Sequence, residues 1–364
     1  MNSPARRISV LLFLCRVLKG RPDLASANGR TLRGHAQIGW DEVSALANEL
    51  HVAEPLWCAV RDAPDALPAR VADELDRQYA TNTLRNARLR KQLVQAVGVL
   101  NGVGIVPLLF RGALSLVDGT LPALGDRWMA DLDMLIGPES LPAAVEALRS
   151  IGYRPESGRP FLRPHSLPLI RKRSAGVLEL HVSVGSPPIP SLLPTELAWT
   201  ESTELTVAGG RVRALAPTHQ LLSNVLHSAV EDRNHAVGGL PLRQLLTLSR
   251  LARVHGSAIE WRAIRVSTET HGLRREFADH VWLAHRLTGM PLPDGDWGLR
   301  SRLHEARVLA SFGLGWPAEL QRNLRNAFER ERLDLRYHHD NEPLRLAAAR
   351  VRHAAHLVSK YSPG

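Results

Sequence analysis

Three acids in two apolar segments are the residues of this chain whose spacing could do chemistry. In "RWMADLDMLI", Arg127 to Ile136, Asp131 and Asp133 stand one residue apart in a strand-like run. Side chains alternate along a strand, so the two carboxylates share a face with Leu135, while Leu132, Met134 and Ile136 face the other way. Their Cα atoms then lie roughly 6.5 Å apart, which lets both carboxylates converge on one small cation. Without a cation, neighbouring acids on a partly buried strand repel each other and lose solvation. Mg²⁺ removes that conflict, because it takes hard oxygen ligands and leaves positions for substrate phosphates. The competing explanation is a solvated pair at a sheet edge, or one paired with Arg111 and Arg127.

Three neighbours favour the cation. "GVLELHVSV" places Glu179, His181 and Ser183 on one face and Leu178, Leu180 and Val182 on the other. If this strand lies beside "ADLDMLI", Glu179 becomes the third carboxylate of a two-metal site. His181 is then a base or acceptor-side group near the metal, or else a strand histidine hydrogen-bonded in a half-buried site. "FRGALSL" runs from a strand through Arg111-Gly112 into a helix near Ala113, where backbone N–H groups can receive phosphate oxygens. Arg111 and Arg127 bracket the acids and have the charge to neutralise a triphosphate. In such a site one metal holds nucleotide phosphates and the other lowers the pKa of an acceptor hydroxyl. Reaction at phosphorus is then mainly positioning and charge neutralisation.

Stepping outward, the elements that must hold these residues fall into a helical, mixed, helical layout. From Asp41 to about Leu100 the rhythm is helical, with Leu84, Leu89, Leu93, Val97 and Leu100 as the buried stripe of a long helix that ends at Gly102 and Gly104. "IVPLLFRG" and "ADLDMLI" read as strands. "PESLPAAVEALRSIGY" reads as a helix capped by Ser140 and closed by Gly152. "SLPLIRKR" with "GVLELHVSV", and "TELTV" with "RVRAL", read as hairpins. After Pro217 the pattern is helical to the end, closing on the basic helix "EPLRLAAARVRHAAHLVSKY". The expected units are residues 1–101 (helical), 102–217 (sheet-bearing core) and 218–364 (helical). The expected fold class is α+β, a small mixed sheet flanked by helices on both sides.

The 364 residues carry a net charge of +10, 44% hydrophobic and 23% charged residues, the composition of an ordinary globular protein with a bias toward polyanionic partners. Only Cys15 and Cys58 are present, so no disulfide is expected and a reducing cytoplasm fits. Near the start, the apolar run Ile8 to Cys15 is cut by Arg16 and lacks a cleavage site, so an amphipathic helix is expected there and no membrane segment anywhere. His227 and His235, with Glu231 and Asp232 between them, read as polar helix ends in preference to a zinc site. "RYHHDNE" reads as a loop. Trp128 either stacks on a base or packs in the core. The basic stretches Arg85 to Lys91 and Arg345 to Lys360 read as solvated faces more than as RNA tracks.

"GIVPLLFRGALSL", "DRWMADLDMLIGPESLPAAVEALRSIGY" and "VLELHVSV" together resemble the uncharacterised nucleotidyltransferase family of the DNA polymerase beta-like superfamily. The likeness extends to the upstream helix "NTLRNARLRKQLVQAVGVLN" and the downstream "THQLLSNVLHSA" and "LPLRQLLTLSRL", roughly residues 40 to 255. It implies that Asp131, Asp133 and Glu179 are catalytic and ligate Mg²⁺ or Mn²⁺. It also implies that Arg111, Gly112, Ala113 and Arg127 meet an NTP, with ATP the first choice. The activity implied is transfer of an NMP to a hydroxyl-bearing acceptor (small molecule, peptide natural product, protein or RNA) with release of pyrophosphate. Departures from the family pattern motivate an alternative, a non-catalytic nucleotide-binding or RNA-binding interaction protein on the same fold. Arg111 stands where lysine is common, and Ala113 replaces a serine. Thr247 stands near an expected aspartate, and the gap from Gly112 to Asp131 is about twenty residues.

Overall fold

The computed structural model of the protein describes residues 3–20, 38–63, 67–156, 165–295, 297–315 and 343–361. Helices α1 (Pro4–Leu18), α2 (Trp40–Glu49) and α3 (Ala53–Val60) lead into α4 (Ala69–Gly102), a helix of 34 residues. Gly104, at φ +79°, turns the chain out of α4 in a conformation that favours glycine. Seven strands follow: β1 (Leu108–Leu109), β2 (Asp131–Leu135), β3 (Arg154–Pro155), β4 (Ser166–Ile170), β5 (Val177–His181), β6 (Thr203–Val207) and β7 (Gly210–Ala214). They form one mixed sheet in the order β3-β4-β5-β2-β1-β7-β6. Both expected hairpins are present as antiparallel pairs, β4 with β5 and β6 with β7. Between β2 and β5 the pairing is parallel, and it aligns Asp131 with Val177, Asp133 with Glu179 and Leu135 with His181.

Short helices decorate the sheet: α5 (Arg111–Ser115), α6 (Leu141–Ser150), α7 (Ile189–Leu192) and α8 (Thr195–Thr200). The C-terminal part comprises α9 (Pro217–Leu226), a π turn (His227–Glu231), α10 (Asn234–Val237), α11 (Leu242–His255), α12 (Trp261–Thr270), α13 (Arg274–Thr288), α14 (Leu299–Leu314) and α15 (Pro343–Tyr361). The architecture is α+β, with helices on both sides of the sheet. The two helical regions also meet each other: α1 packs on α13 and α14, and one buried apolar cluster runs from Val10 to Phe312. Among the described residues, no helix is long and apolar enough to cross a membrane. The loop "RYHHDNE" lies outside the described residues.

Several local expectations change. The strand in "IVPLLFRG" shrinks to Leu108 and Leu109, and β3 had no period-two signal because it is only two residues long. Ser140 precedes α6 but its side chain makes no capping hydrogen bond, because a 3₁₀ turn, Pro138–Ser140, leads in. Leu84 is 63% exposed, while Asn82 and Asn86 take the buried positions on α4. Those amides face the loop that carries Arg127. Asn82 Nδ2 donates to the carbonyls of Gly125 (2.9 Å) and Arg127 (3.0 Å), and Asn86 Nδ2 to those of Leu124 (2.5 Å) and Arg127 (2.7 Å). Polar groups displace leucine here because a buried loop has carbonyls to satisfy.

Asn86→Leu should therefore destabilise the protein although it makes α4 more apolar. The Leu124 carbonyl loses its donor in a buried setting, at a cost of about 1–3 kcal/mol. A lowered urea midpoint with an unchanged slope would register that loss.

Candidate active site

Alternation along β2 and β5, combined with their parallel register, puts Asp131, Asp133, Glu179 and His181 on one face of the sheet. Among the described residues, Asp133, Glu179 and His181 offer ligand atoms that all lie within 4.8 Å of one another. Asp133 and His181 are buried, Glu179 half-buried. His181 Nε2 lies 2.8 Å from Asp133 Oδ1 and 3.4 Å from Glu179 Oε2, while its Nδ1 is buried without a partner. Asp131 is not part of that tight group. It stands half-buried at the start of β2, two residues along the same face.

The loops and helix starts supply the positive charge. Arg111 begins α5 at φ +52°, a left-handed conformation that costs a non-glycine residue roughly 1 kcal/mol and persists only where its surroundings hold it. They do so here. Its guanidinium lies 3.6 Å from Asp133 Oδ1, donates to Glu231 Oε2 at 3.3 Å and to the Val184 carbonyl at 3.4 Å, and covers the Phe110 ring. Gly112 lets α5 approach β2: an added Cβ would meet Met129 Sδ at 3.2 Å and Cγ at 3.4 Å. Ala113 is buried beside it. A hydroxyl stands two residues later at Ser115, which accepts from Arg127 Nη1 at 3.3 Å.

Sequence patterning alone did not find four of the neighbours. Glu231, on the π turn, gathers Arg111, His165 (3.3 Å) and the Ser186 hydroxyl (3.1 Å) behind the acids. π turns recur at functional positions, but no residue pattern announces one. Arg243 and Arg250 sit with Thr247 at i, i+4 and i+7 on α11, one basic face where an aspartate was expected. Thr247 turns inward and donates to the Arg243 carbonyl at 3.0 Å. Among the described residues, neither Arg243, Arg250 nor Arg127 forms an ion pair. The fourth is His51, which stacks on Trp128 at 5.1 Å and 18°, with Arg85 and Arg243 also over that ring. Trp128 is half-buried under His51 and these guanidinium groups, outside the apolar core. His227 lies by Glu231 (3.8 Å) and Asp232 (3.3 Å), whereas His235 points elsewhere.

The electrostatics follow from this layout. Burial, reinforced by the charges of Asp133 and Glu179, pushes Asp131 up to about 6 despite Arg111 and Arg243. Burial acts in the same direction on Asp133, but the Arg111 charge and the His181 hydrogen bond hold it well below the usual carboxylate range. Burial disfavours the charged form of His181, yet its bonds to Asp133 and Glu179 prevail and raise it. Arg127 is drawn down to about 10 by burial and by the neighbouring Arg243 and Arg250 charges. The face thus has an acid too many on one side and unpaired guanidinium groups on the other.

A pH dependence follows for the metal-free protein. A carboxyl raised in the fold contributes stability at low pH, and that contribution is withdrawn as pH climbs from about 4 through about 6. If ionised Asp131 holds a divalent cation, the trend should reverse. Below pH 6 its affinity should fall about tenfold per pH unit as a proton competes, and Asp131→Asn should remove that slope, as read by calorimetric titration with Mn²⁺.

A mixed sheet carries acids on two adjacent parallel strands, faced by an Arg-Gly turn and a basic helix, so acidic groups that could hold a cation lie beside positive charge. The family described as "Uncharacterised nucleotidyltransferase" matches residues 36–289, from ahead of α2 to the end of α13. The chain belongs to that family, and nucleotidyl transfer is the class of reaction the family defines. No curated protein and no solved structure matches the chain.

Proposed function

We propose that the protein is a metal-dependent nucleotidyltransferase that moves an NMP from an NTP, ATP by first choice, to a hydroxyl-bearing acceptor and releases pyrophosphate. The observation that carries the reading is the register of β2 with β5, which sets Asp133 directly opposite Glu179. Asp131, Asp133 and Glu179 are the residues that would hold Mg²⁺ or Mn²⁺. The donor set fits a hard cation: burial, with the charges of Asp133 and Glu179 adding to it, raises Asp131 to about 6, and a divalent ion would offset both penalties. Such ions, once bound, neutralise phosphate charge and acidify an acceptor hydroxyl in the two-metal manner.

The chain's own groups then have distinct tasks. Arg127 and Arg243, unpaired and half-buried next to Asp131, are assigned to the triphosphate, whose charge would offset their mutual repulsion. Gly112 and Ala113 bring the backbone of α5 close to β2, where phosphate oxygens would lie. Arg111 lies between Asp133 and Glu231, so it is positioned to turn toward phosphate. The complete burial of His181 supports a role in orienting Asp133 over direct contact with an acceptor. The acceptor is a small molecule, peptide natural product, protein or RNA. Free thiols at Cys15 and Cys58 support a reducing, cytoplasmic setting.

A labelled-nucleotide experiment tests this reading. With Mg²⁺ or Mn²⁺ and cell extract, label from the α-phosphate of ATP should pass to an acceptor while γ-label leaves as pyrophosphate. Transfer of γ-label would instead make the protein a kinase. One observation favours a second reading: Arg111 and His181 already satisfy Asp133 without a metal. A non-catalytic nucleotide-binding protein would bind NTP equally with or without metal and after Glu179→Gln.

A further inference from the structure

We propose that His235, Asp279 and His304 form a metal site for an imidazole-preferring divalent ion such as Zn²⁺, separate from the acidic face of β2 and β5. The three residues come from α10, α13 and α14, and their ligand atoms lie within 4.8 Å of one another. His235 Nε2 is 2.9 Å from Asp279 Oδ2, and His304 Nδ1 is 3.8 Å from the same oxygen. The two imidazoles stack at 4.5 Å and 16°. Two imidazoles and one carboxylate are a donor set that suits zinc and leaves a position open.

The surroundings are those of a prepared site. The Ser301 hydroxyl donates to Asp279 Oδ1 at 2.7 Å, which fixes the carboxylate and leaves Oδ2 toward the histidines. His280, one residue after Asp279 and only 3% exposed, lines the same cleft with Asn234, Gly239, Pro241 and Leu283. Its Nε2 is buried and has no hydrogen-bond partner, an orphan that a network of histidine and aspartate alone would not explain. Glu276, one turn ahead of His280, brings Oε1 to 3.8 Å from His235 Nδ1 and leaves Oε2 buried without a partner.

Arg307 is the remaining charged neighbour. Its guanidinium donates to the His235 carbonyl and contacts His304 Nδ1 at 3.2 Å. An ion taking His304 Nδ1 displaces only the second of these contacts. A metal here would clamp the segment just beyond the π turn, and hence Glu231, to α13 and α14. The role assigned to it is structural, the joining of α10 to α13 and α14.

The test uses the full chain, purified without a histidine tag, incubated with Zn²⁺ or Co²⁺ and desalted. Elemental analysis should find a metal equivalent that survives Asp133→Asn with Glu179→Gln, and the Co²⁺ form should show intense visible bands. His304→Gln or Asp279→Asn should weaken binding at least tenfold. The imidazole ¹⁵N resonances of His235 and His304 should shift when Zn²⁺ is added to the wild-type protein, a readout that needs no variant to fold. Unshifted resonances would overturn the proposal. So would an equivalent that persists in His304→Gln and disappears in Glu179→Gln.

Discussion

Asp133→Asn is expected to lower nucleotidyl transfer by about 10³-fold or more, and to weaken NTP binding measured in the presence of Mg²⁺ or Mn²⁺. The size follows from where Asp133 sits. It is the acid shared by the whole face: aligned with Glu179, bonded to His181 at 2.8 Å and set 3.6 Å from Arg111. Asparagine fills the same space but removes the charge that would hold a cation, and Arg111 keeps Glu231 as its remaining carboxylate. Glu179→Gln should act in the same way. Asp131→Asn should abolish transfer too, and it offers a separate handle because its pH dependence of metal affinity disappears with it. Each variant should retain the wild-type circular dichroism spectrum, which separates lost chemistry from lost structure. Equal transfer by wild type and these variants would remove the acids from the mechanism.

Gly176→Ala, one methyl group on the loop before β5, should have nearly as large an effect by another route. An added Cβ would lie 2.3 Å from the Ala130 carbonyl oxygen, 3.2 Å from its carbon and 2.8 Å from Leu89 Cδ2. Two of those atoms are backbone of the residue just ahead of Asp131, so no rotamer change relieves the clash. The loop is also pinned from α4, where Gln92 Nε2 donates to the Gly176 carbonyl at 2.9 Å and Oε1 accepts from Ala175 N–H at 3.1 Å. β5 must therefore slide against β2, and Asp133 and Glu179 lose their alignment. Overpacking of this kind costs about 1–3 kcal/mol, and transfer should fall further than the folded fraction alone accounts for. Native stability with native activity would show that the register tolerates movement and does not set the site.

The parts of the site legible in the sequence are those that depend on local periodicity. Asp131, Asp133, Glu179 and His181 could be placed on one face because strand side chains alternate, and the apolar residues between them mark the opposite face. That β5 lies beside β2 needed the family resemblance or the structure, since pairing between distant segments leaves no local signal. The same limit hid Arg243 and Arg250, which look like the polar edge of an amphipathic helix until α11 is set against Arg127. It also hid Glu231, whose value lies in holding Arg111 from across the site. Where the pattern misled, it did so for a physical reason: Leu84 continued a leucine rhythm, but the buried loop carbonyls required the amides of Asn82 and Asn86 instead.

A crystal structure with Mn²⁺ and a non-hydrolysable ATP analogue would test the central claim most directly. Anomalous density should be bonded to carboxylates of Asp131, Asp133 and Glu179, with the triphosphate running from that ion toward Arg127 and Arg243. An ordered nucleotide with no Mn²⁺ at these three acids would contradict it.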